Sequence, residues 1–246
     1  MDMNLTKRHH IANFQDLSDY NLTKRSHIEF FQDISNIIKN NKERLSYGIS
    51  VTDFNKDGQF EFIVTGFRHP NLALSYKKGY LENLITDEVF SDDIRSTIGV
   101  AACDIDKDGF EELYFLNTDT YSGRKQYSDR LLDTQTKIID LFEIEKNLKS
   151  LNLTAGRSVV CVDRNGVGSY GFYVANYGGP TRFYELINNQ IIDKAPMLNI
   201  DKITGGRAAV SGHILGNQMD IFATNERGPN FLYFNEDGIF KAFAEK

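Results

Sequence analysis

The sequence predicts an all-β fold, a β-propeller built of about four four-stranded blades, and three observations support this. Two acidic loops are each flanked by short β-branched and aromatic runs of strand length. The loop register recurs at Glu61, Glu112, Gly171 and Asp220, with spacings of 51, 59 and 49 residues, which is the period of propeller blades. The run after each of these positions is nearly continuous in apolar residues, as expected for sheets covered on both faces.

Residues 1–46 are predicted to form a separate N-terminal segment that begins with a tandem duplication. Residues 4–20 and 21–37 share a 17-residue pattern, and each copy ends in a strand-like stretch, Ile11–Leu17 and Ile28–Ile34. Because so short a unit cannot form a domain, we interpret it as one copied edge strand followed by a polar linker. The blades then occupy residues 47–246, with limits at about 47–94, 95–152, 153–202 and 203–246.

Each blade is predicted to be a meander of four antiparallel strands. Two-residue turns of the kind that hairpins prefer join the third and fourth strands, at Lys78-Gly79, Asn188-Asn189 and Asp237-Gly238. The second blade carries an insertion at residues 118–129 instead. One helical-looking segment, residues 137–151, is expected between blades two and three.

Two loops carry the pattern of a calcium site, with oxygen-bearing side chains at positions 1, 3, 5 and 9 and a glycine at position 6. Ca²⁺ accepts about six to eight oxygen ligands, and the glycine permits the sharp turn that gathers them. An EF-hand is excluded because strands flank the loops and position 12 holds Val64 or Phe115. The predicted ligands, which include the main-chain carbonyls of Gln59 and Phe110, are Asp53, Asn55, Asp57, Gln59, Glu61, Asp104, Asp106, Asp108, Phe110 and Glu112.

The equivalent loops of blades three and four are poorer in oxygen ligands. The third keeps Asp163 and Asn165, but Val167 and Gly171 stand at positions 5 and 9, so it is predicted to be a weak third calcium loop or a turn held by its backbone. The fourth has lost its acids except Asp220, and His213 there is interpreted as a turn residue.

Composition and motifs argue against several classes of function. The chain has 246 residues, a net charge of −6 and no basic run, which argues against nucleic-acid binding. No apolar run approaches the ~18–20 residues of a membrane span. The N-terminus lacks the apolar core of a secretory signal, which favours a cytoplasmic location by default. No nucleophile elbow, phosphate-binding glycine loop or His-Glu-x-x-His motif is present, so a non-catalytic protein is predicted.

Four other residues are interpreted as structural. Cys103 and Cys161 each end an apolar run, and we expect them to be buried free thiols, because a disulfide between neighbouring blades requires an oxidising compartment. Arg157 and Arg207 occupy equivalent places at the start of blades three and four, where a role in holding the blade entry is favoured over ligand binding.

The repeats resemble FG-GAP (integrin-type) repeats and, more narrowly, the N-terminal half of the cartilage acidic protein family and its bacterial relatives. The segments that carry this resemblance include 47–53, 99–109, 114–117, 155–164, 175–177 and 204–207 through 225–232. The resemblance implies a seven-bladed propeller, calcium binding, and an extracellular protein that acts through binding and not catalysis. Since four blades are recognised here, a partial or small propeller is expected.

The favoured hypothesis is therefore a calcium-binding propeller module that mediates protein or glycan interaction. The alternatives are a truncated paralogue without independent function, and a propeller hydrolase or lyase acting at a central channel. An open arc of four blades exposes two apolar faces, so we expect either a homo-oligomer formed through these open blade faces or closure against the duplicated N-terminal segment.

Overall fold

The computed structural model describes residues 32–243, with the side chain of Phe243 left out. By its internal contacts the chain divides between Asn36 and Ile37, and the strands described below all lie in the second part. The predicted strand Ile11–Leu17 and the first half of Ile28–Ile34 lie outside the described residues; residues 32–34 form no strand. A 3₁₀ helix follows at Ser35–Ile37, and Ile38 then bridges to Leu81.

The described chain is all-β and consists of four consecutive antiparallel repeats. Repeat one pairs β1 (Ile49–Thr52), β2 (Glu61–Val64), β3 (Leu72–Lys77) and β4 (Tyr80–Asn83) in chain order, and the short helix α1 (Glu88–Ser91) follows it. Its last hairpin turns through Lys78 and Gly79, with φ values of 51° and 87°. Both central residues thus adopt the left-handed conformation that the predicted turn requires.

Repeat two pairs β5 (Thr97–Cys103), β6 (Glu112–Asn117), β7 (Arg130–Asp133) and β8 (Ile139–Asp140). All six residues of β6 are buried, as the continuous apolar run predicted. The prediction of one helix at residues 137–151 is wrong: the segment holds β8 and two 3₁₀ helices, Leu141–Glu143 and Glu145–Ser150. The charged spacing suggested a helix, but Ile139 and Asp140 pair with β7 and complete the sheet.

Repeats three and four are joined into one eight-stranded sheet. Repeat three contains β9 (Gly156–Val162), β10 (Gly171–Pro180), β11 (Arg182–Ile187) and β12 (Gln190–Asp193). Repeat four contains β13 (Ile203–Gly212), β14 (Asp220–Asn225), β15 (Phe231–Glu236) and β16 (Ile239–Phe243). The long strand β10 continues past its own repeat and pairs with β13 through Tyr177 and Gly205.

Three apolar clusters lie between consecutive repeats, so the core is built from contacts between neighbouring sheets. Ile63 and Ala73 of repeat one pack with Leu113 and Phe115 of repeat two. The second cluster joins repeats two and three around Tyr114, and the third joins repeats three and four. Burial of such side chains stabilises the fold by about 1.5–3 kcal/mol each.

Cys103 and Cys161 form a disulfide, so the prediction of free thiols is wrong. Cys103 ends β5 of repeat two, Cys161 lies in β9 of repeat three, and their Cα atoms are 6.2 Å apart. The side chains point toward each other because the two strands lie side by side in the cluster between these repeats. Within the described residues, no helix is long and apolar enough to cross a membrane.

Candidate metal centre

The loop between β5 and β6 folds back on itself and gathers three carboxylates. Lys107 and Gly109 have φ values of 67° and 86°, which reverse the chain. Asp104 accepts hydrogen bonds from the N–H groups of Lys107 (2.6 Å) and Gly109 (2.9 Å), and Asp108 accepts one from Phe110 (2.7 Å). One carboxylate oxygen each of Asp104, Asp106 and Asp108 lies within 4.8 Å of the other two. This is a set of hard oxygen donors turned inward, as Ca²⁺ requires.

Glu112, at position 9, closes this loop from the core side. Its side chain is buried at the start of β6, and its Oε2 accepts a hydrogen bond from the Ile105 N–H at 2.9 Å. The pKa of Glu112 is raised to about 8, mainly by burial; the Ile105 N–H opposes this shift, and the nearby carboxylates of Asp106 and Asp108 contribute to it. Burial also raises the pKa of Asp106. These shifts reflect negative charge that is crowded together in a poorly solvated place.

The loop between β1 and β2 has the same backbone. Lys56 and Gly58 have φ values of 59° and 86°, and Asp53 accepts hydrogen bonds from the N–H groups of Asp57 and Gly58, both at 3.0 Å. The Asn55 amide donates to Asp57 at 3.3 Å. The middle position of this loop holds the Asn55 amide in place of a carboxylate, so the turn itself contributes two carboxylates, Asp53 and Asp57, and not three.

Glu61 is the most unusual group of this first loop. Its side chain is fully buried, and neither of its carboxylate oxygens has a hydrogen-bond partner of acceptable geometry anywhere in residues 32–243. Burial raises its pKa, the neighbouring Ser75 hydroxyl opposes that shift, and Asp57 and Asp53 add to it. A buried carboxylate without hydrogen-bond donors is energetically unfavourable, and a bound cation would compensate its charge.

In the loops of repeats three and four, main-chain N–H groups donate hydrogen bonds to the aspartates. Asp163 accepts hydrogen bonds from the N–H groups of Val167 (3.1 Å) and Gly168 (2.6 Å). Asp220 is fully buried and accepts one each from Leu215 and Asn235, both at 2.8 Å. Within the described chain, the only group of three or more candidate metal-binding side chains is the one at Asp104, Asp106 and Asp108. The weak third calcium loop therefore stays a prediction.

A second feature links repeats two, three and four through aromatic rings. The guanidinium groups of Arg157 and Arg207 each lie over both Tyr121 and Tyr177, at 5.1–5.6 Å from the ring centroids. Arg157 also donates to the Thr118 hydroxyl at 2.9 Å and to the main-chain oxygens of Gly156 and Tyr121. Arg207 forms a salt bridge of 2.6 Å with Glu226. The equivalent places of the two arginines could be seen in the sequence, but the cluster could not. Tyr121 comes from the insertion at residues 118–129, and Tyr177 lies in the part of β10 that continues past its own repeat.

The sequence is related to cartilage acidic proteins. It is 44% identical to cartilage acidic protein 1 of Xenopus tropicalis, in an alignment that covers 83% of this chain and 36% of that protein. It is 41% identical to cartilage acidic protein 1 of Homo sapiens, covering 82% of this chain and 34% of that protein. The chain thus spans about a third of the length of these curated relatives. The predicted resemblance to cartilage acidic proteins is confirmed.

No family model matches the sequence, so the FG-GAP character of the repeats stays a prediction. Among solved structures, BBS1N in complex with ARL6DN aligns with 80% of this chain and 55% of that chain, at a TM-score of 0.49 and 8% identity. A biofilm matrix protein of V. cholerae aligns with 80% of this chain and 30% of its own, at a TM-score of 0.43 and 17% identity.

Proposed function

We propose, from its relationship to cartilage acidic proteins and from its loops, that this chain is a calcium-binding β-propeller module that binds a protein or glycan and is not an enzyme. The observation that carries the proposal is the convergence of Asp104, Asp106 and Asp108 above the buried Glu112. The residues that would hold the ion are these four side chains and the Phe110 carbonyl, and the equivalent set from Asp53 to Glu61. Bound calcium would neutralise the crowded carboxylates and fix the first hairpin of each repeat.

The propeller assignment is supported by the order of contacts between repeats. The first strands of consecutive repeats, β1, β5, β9 and β13, contact one another in series. Each repeat is a four-stranded meander whose neighbours pack on its faces. These are the features of blades arranged around an axis.

The disulfide supports an oxidising compartment as the place of action. Disulfides persist in secreted and extracellular proteins and are rare in the cytosol. Calcium loops in extracellular modules bind with dissociation constants of about 10⁻⁴–10⁻³ M, which matches the calcium available outside the cell. The Cys103–Cys161 bond and the acidic loops thus favour the same compartment.

The positions of the carboxyl groups with raised pKa values favour a binding role over catalysis. Burial raises the pKa of four carboxyl groups of the described chain, those of Glu61, Asp106, Glu112 and Asp140. Three of these belong to the metal loops, and Asp140 forms a salt bridge of 2.9 Å with Arg130. An enzyme would be expected to hold such groups together in a cleft beside its substrate.

The proposal is tested by thermal unfolding in calcium and in chelator. If one loop binds with a dissociation constant near 10⁻⁴ M, about 10 mM calcium adds about 2.7 kcal/mol. For a domain of this size that raises Tm by about 5–10 °C. Asp104→Ala should reduce the calcium-dependent rise, and Asp53→Ala with Asp104→Ala should abolish it.

Asp163→Ala is the matched control. Asp163 and Asp104 occupy the same loop position, and each accepts two backbone hydrogen bonds, so both variants lose the same kind of turn support. Of these two single variants, only Asp104→Ala should show a smaller calcium-dependent rise in Tm than the wild type. A wild-type protein with equal Tm in calcium and chelator, or a double variant that keeps the full rise, would contradict the proposal.

A further inference from the structure

The two arginines of the aromatic cluster are held close together although both are cations. Their guanidinium groups lie over the same two rings, those of Tyr121 and Tyr177, whose centroids are 5.1 Å apart. Burial lowers the pKa of Arg157, and the charge of Arg207 lowers it further. Two cations held side by side repel each other, so the arrangement favours an anion beside them.

Arg157 is bound mainly by neutral acceptors. It donates hydrogen bonds to the Thr118 hydroxyl and to the main-chain oxygens of Gly156 and Tyr121. Among the described residues, no carboxylate forms a salt bridge with it. These bonds fasten the insertion of repeat two to the start of repeat three, and they leave the charge of Arg157 without an ion-pair partner in this part of the chain.

Arg207 shows which anion the cluster can hold. Its Nη2 donates to Oε2 of Glu226 at 2.6 Å and to the Tyr121 hydroxyl at 3.1 Å. The Tyr121 hydroxyl in turn donates to both carboxylate oxygens of Glu226, at 3.3 and 3.4 Å. A hydrogen bond from Tyr177 lowers the pKa of Glu226 most, burial opposes this shift, and Arg207 adds to it. Side chains from three repeats therefore converge on one carboxylate.

The cluster keeps donors free after this internal carboxylate is bound. Among the described residues, Nε and Nη1 of Arg207 have no hydrogen-bond partner, and that side chain is 39% exposed. Arg227 is exposed and forms no side-chain hydrogen bond or ion pair within the same residues. Hydrogen bonding, chiefly with Tyr121, raises the pKa of Tyr177, and the nearby charge of Arg227 opposes that rise. Together with Arg157, three arginines accompany one carboxylate on a chain whose net charge is −6.

We propose that this cluster binds an acidic segment of a partner protein, whose Asp or Glu carboxylate sits beside Glu226 on the free N–H groups of Arg207 and on Arg227. The choice of a carboxylate follows from Glu226, the anion that the cluster already holds. A protein is favoured over a glycan because each tyrosine ring is already contacted by two guanidinium groups and offers little surface for stacking against a sugar.

This inference deepens the proposed binding role, on which it rests, by naming the chemistry of the partner. It does not depend on the calcium loops. In the β9–β10 hairpin, Gly156 pairs with Asn176 at one end and Val162 pairs with Gly171 at the other, beside the acidic loop. Arg157 and Tyr177 directly follow the first of these pairs in sequence, so the cluster and the loop lie at opposite ends of the hairpin.

Fluorescence anisotropy of a labelled oligoglutamate peptide, titrated with the full chain in calcium-free buffer of low ionic strength, tests the inference. Because the chain is itself acidic, its net charge disfavours this peptide, and binding must come from a local cationic site. Arg207→Gln should weaken the affinity about 5–10-fold, and Arg227→Gln about 2–5-fold. Glu226→Gln should strengthen it about 3-fold, since a competing negative charge is removed.

Lys146→Gln is the matched control. Lys146 is exposed in the 3₁₀ helix Glu145–Ser150, and its replacement removes the same unit of charge outside the cluster. This variant should bind the peptide as the wild type does. Thermal melts verify that all the variants are folded, and the exposed Arg227 supplies a second test of the site if Arg207→Gln is unstable.

The outcomes separate this inference from the calcium proposal. A wild type whose Tm rises with calcium but which binds no oligoglutamate at about 1 mM would overturn the inference alone. Peptide binding without any calcium effect on Tm would overturn the calcium proposal and support the inference. Equal affinities of the wild type and Arg207→Gln, or an equal loss in Lys146→Gln, would place the peptide elsewhere and overturn it. Binding of heparin in place of oligoglutamate, with the loss in Arg207→Gln, would overturn the assignment of a protein partner.

Discussion

Removal of the disulfide should produce a large and calculable loss of stability. The bond joins residues 58 apart in sequence, and the chain-entropy relation assigns a loop of that length about 4 kcal/mol at 25 °C. Cys103 is 3% exposed, so alanine at that position also loses sulfur contacts in the core. For a domain of this size, we expect the variant Cys103→Ala with Cys161→Ala to unfold about 8–16 °C below the wild type.

The assay is differential scanning calorimetry of both proteins with and without a phosphine reductant, at one fixed calcium concentration. Calcium must be fixed because a ligand that binds the folded state shifts Tm by itself. The reductant should lower the Tm of the wild type toward that of the double-alanine variant and leave the variant unchanged. A thiol titration in denaturant supplies the control, with no free thiol expected in the oxidised wild type. Equal Tm values for oxidised wild type and variant, or two titratable thiols, would refute the reasoning.

Two further substitutions test individual features of the fold. Lys125 is fully buried, pairs with Asp129 and donates a hydrogen bond to the Asn117 carbonyl at 2.9 Å. Lys125→Met should lower the free energy of unfolding, measured in denaturant, by about 3–5 kcal/mol because the buried aspartate loses its cation. A loss below about 1 kcal/mol would show that the pair is dispensable. Gly79→Ala should lower the free energy of unfolding by about 1–2 kcal/mol, because φ is 87° at an otherwise open position. Gly212→Ala is the control and should be close to neutral, since a Cβ there meets no atom within 4 Å and φ is not positive. Equal effects at the two glycines would contradict the turn assignment.

Much of the strand pattern could be predicted from the sequence because the signals are local. The turns between the third and fourth strands of repeats three and four lie where predicted, since β12 begins directly after Asn189 and β16 directly after Gly238. Turn dipeptides such as Asn188-Asn189 carry their conformation in their own φ preferences, and both residues are left-handed in the structure. The acidic loops are also local, since each carboxylate bonds to N–H groups a few residues away.

The features that were missed depend on contacts between repeats. Cys103 directly precedes its loop aspartate and Cys161 lies two residues before Asp163, so the two thiols have opposite register parity. Opposite parity places Cys103 on the side of repeat two that packs against repeat three, and Cys161 on the side of repeat three that packs against repeat two. This parity is the signal that could have predicted their bond. Similarly, Ile139 becomes a strand residue only because Asp133 of β7 is there to pair with it. The helix prediction did not consider this pairing with β7.

The junction between repeats three and four has a consequence for how the protein opens. At the other two junctions the backbone pairings include single bridges, Phe67 with Ser96 and Arg124 with Thr154. At the third junction, β10 and β13 share a short ladder of three residue pairs with one register shift, so main-chain pairing joins repeats three and four into one sheet. In a linear array, coupling between neighbours sets which parts open together. We therefore expect repeats three and four to open as one cooperative unit, and native-state hydrogen exchange should show their amide hydrogens exchanging as a group and more slowly than those of repeat one.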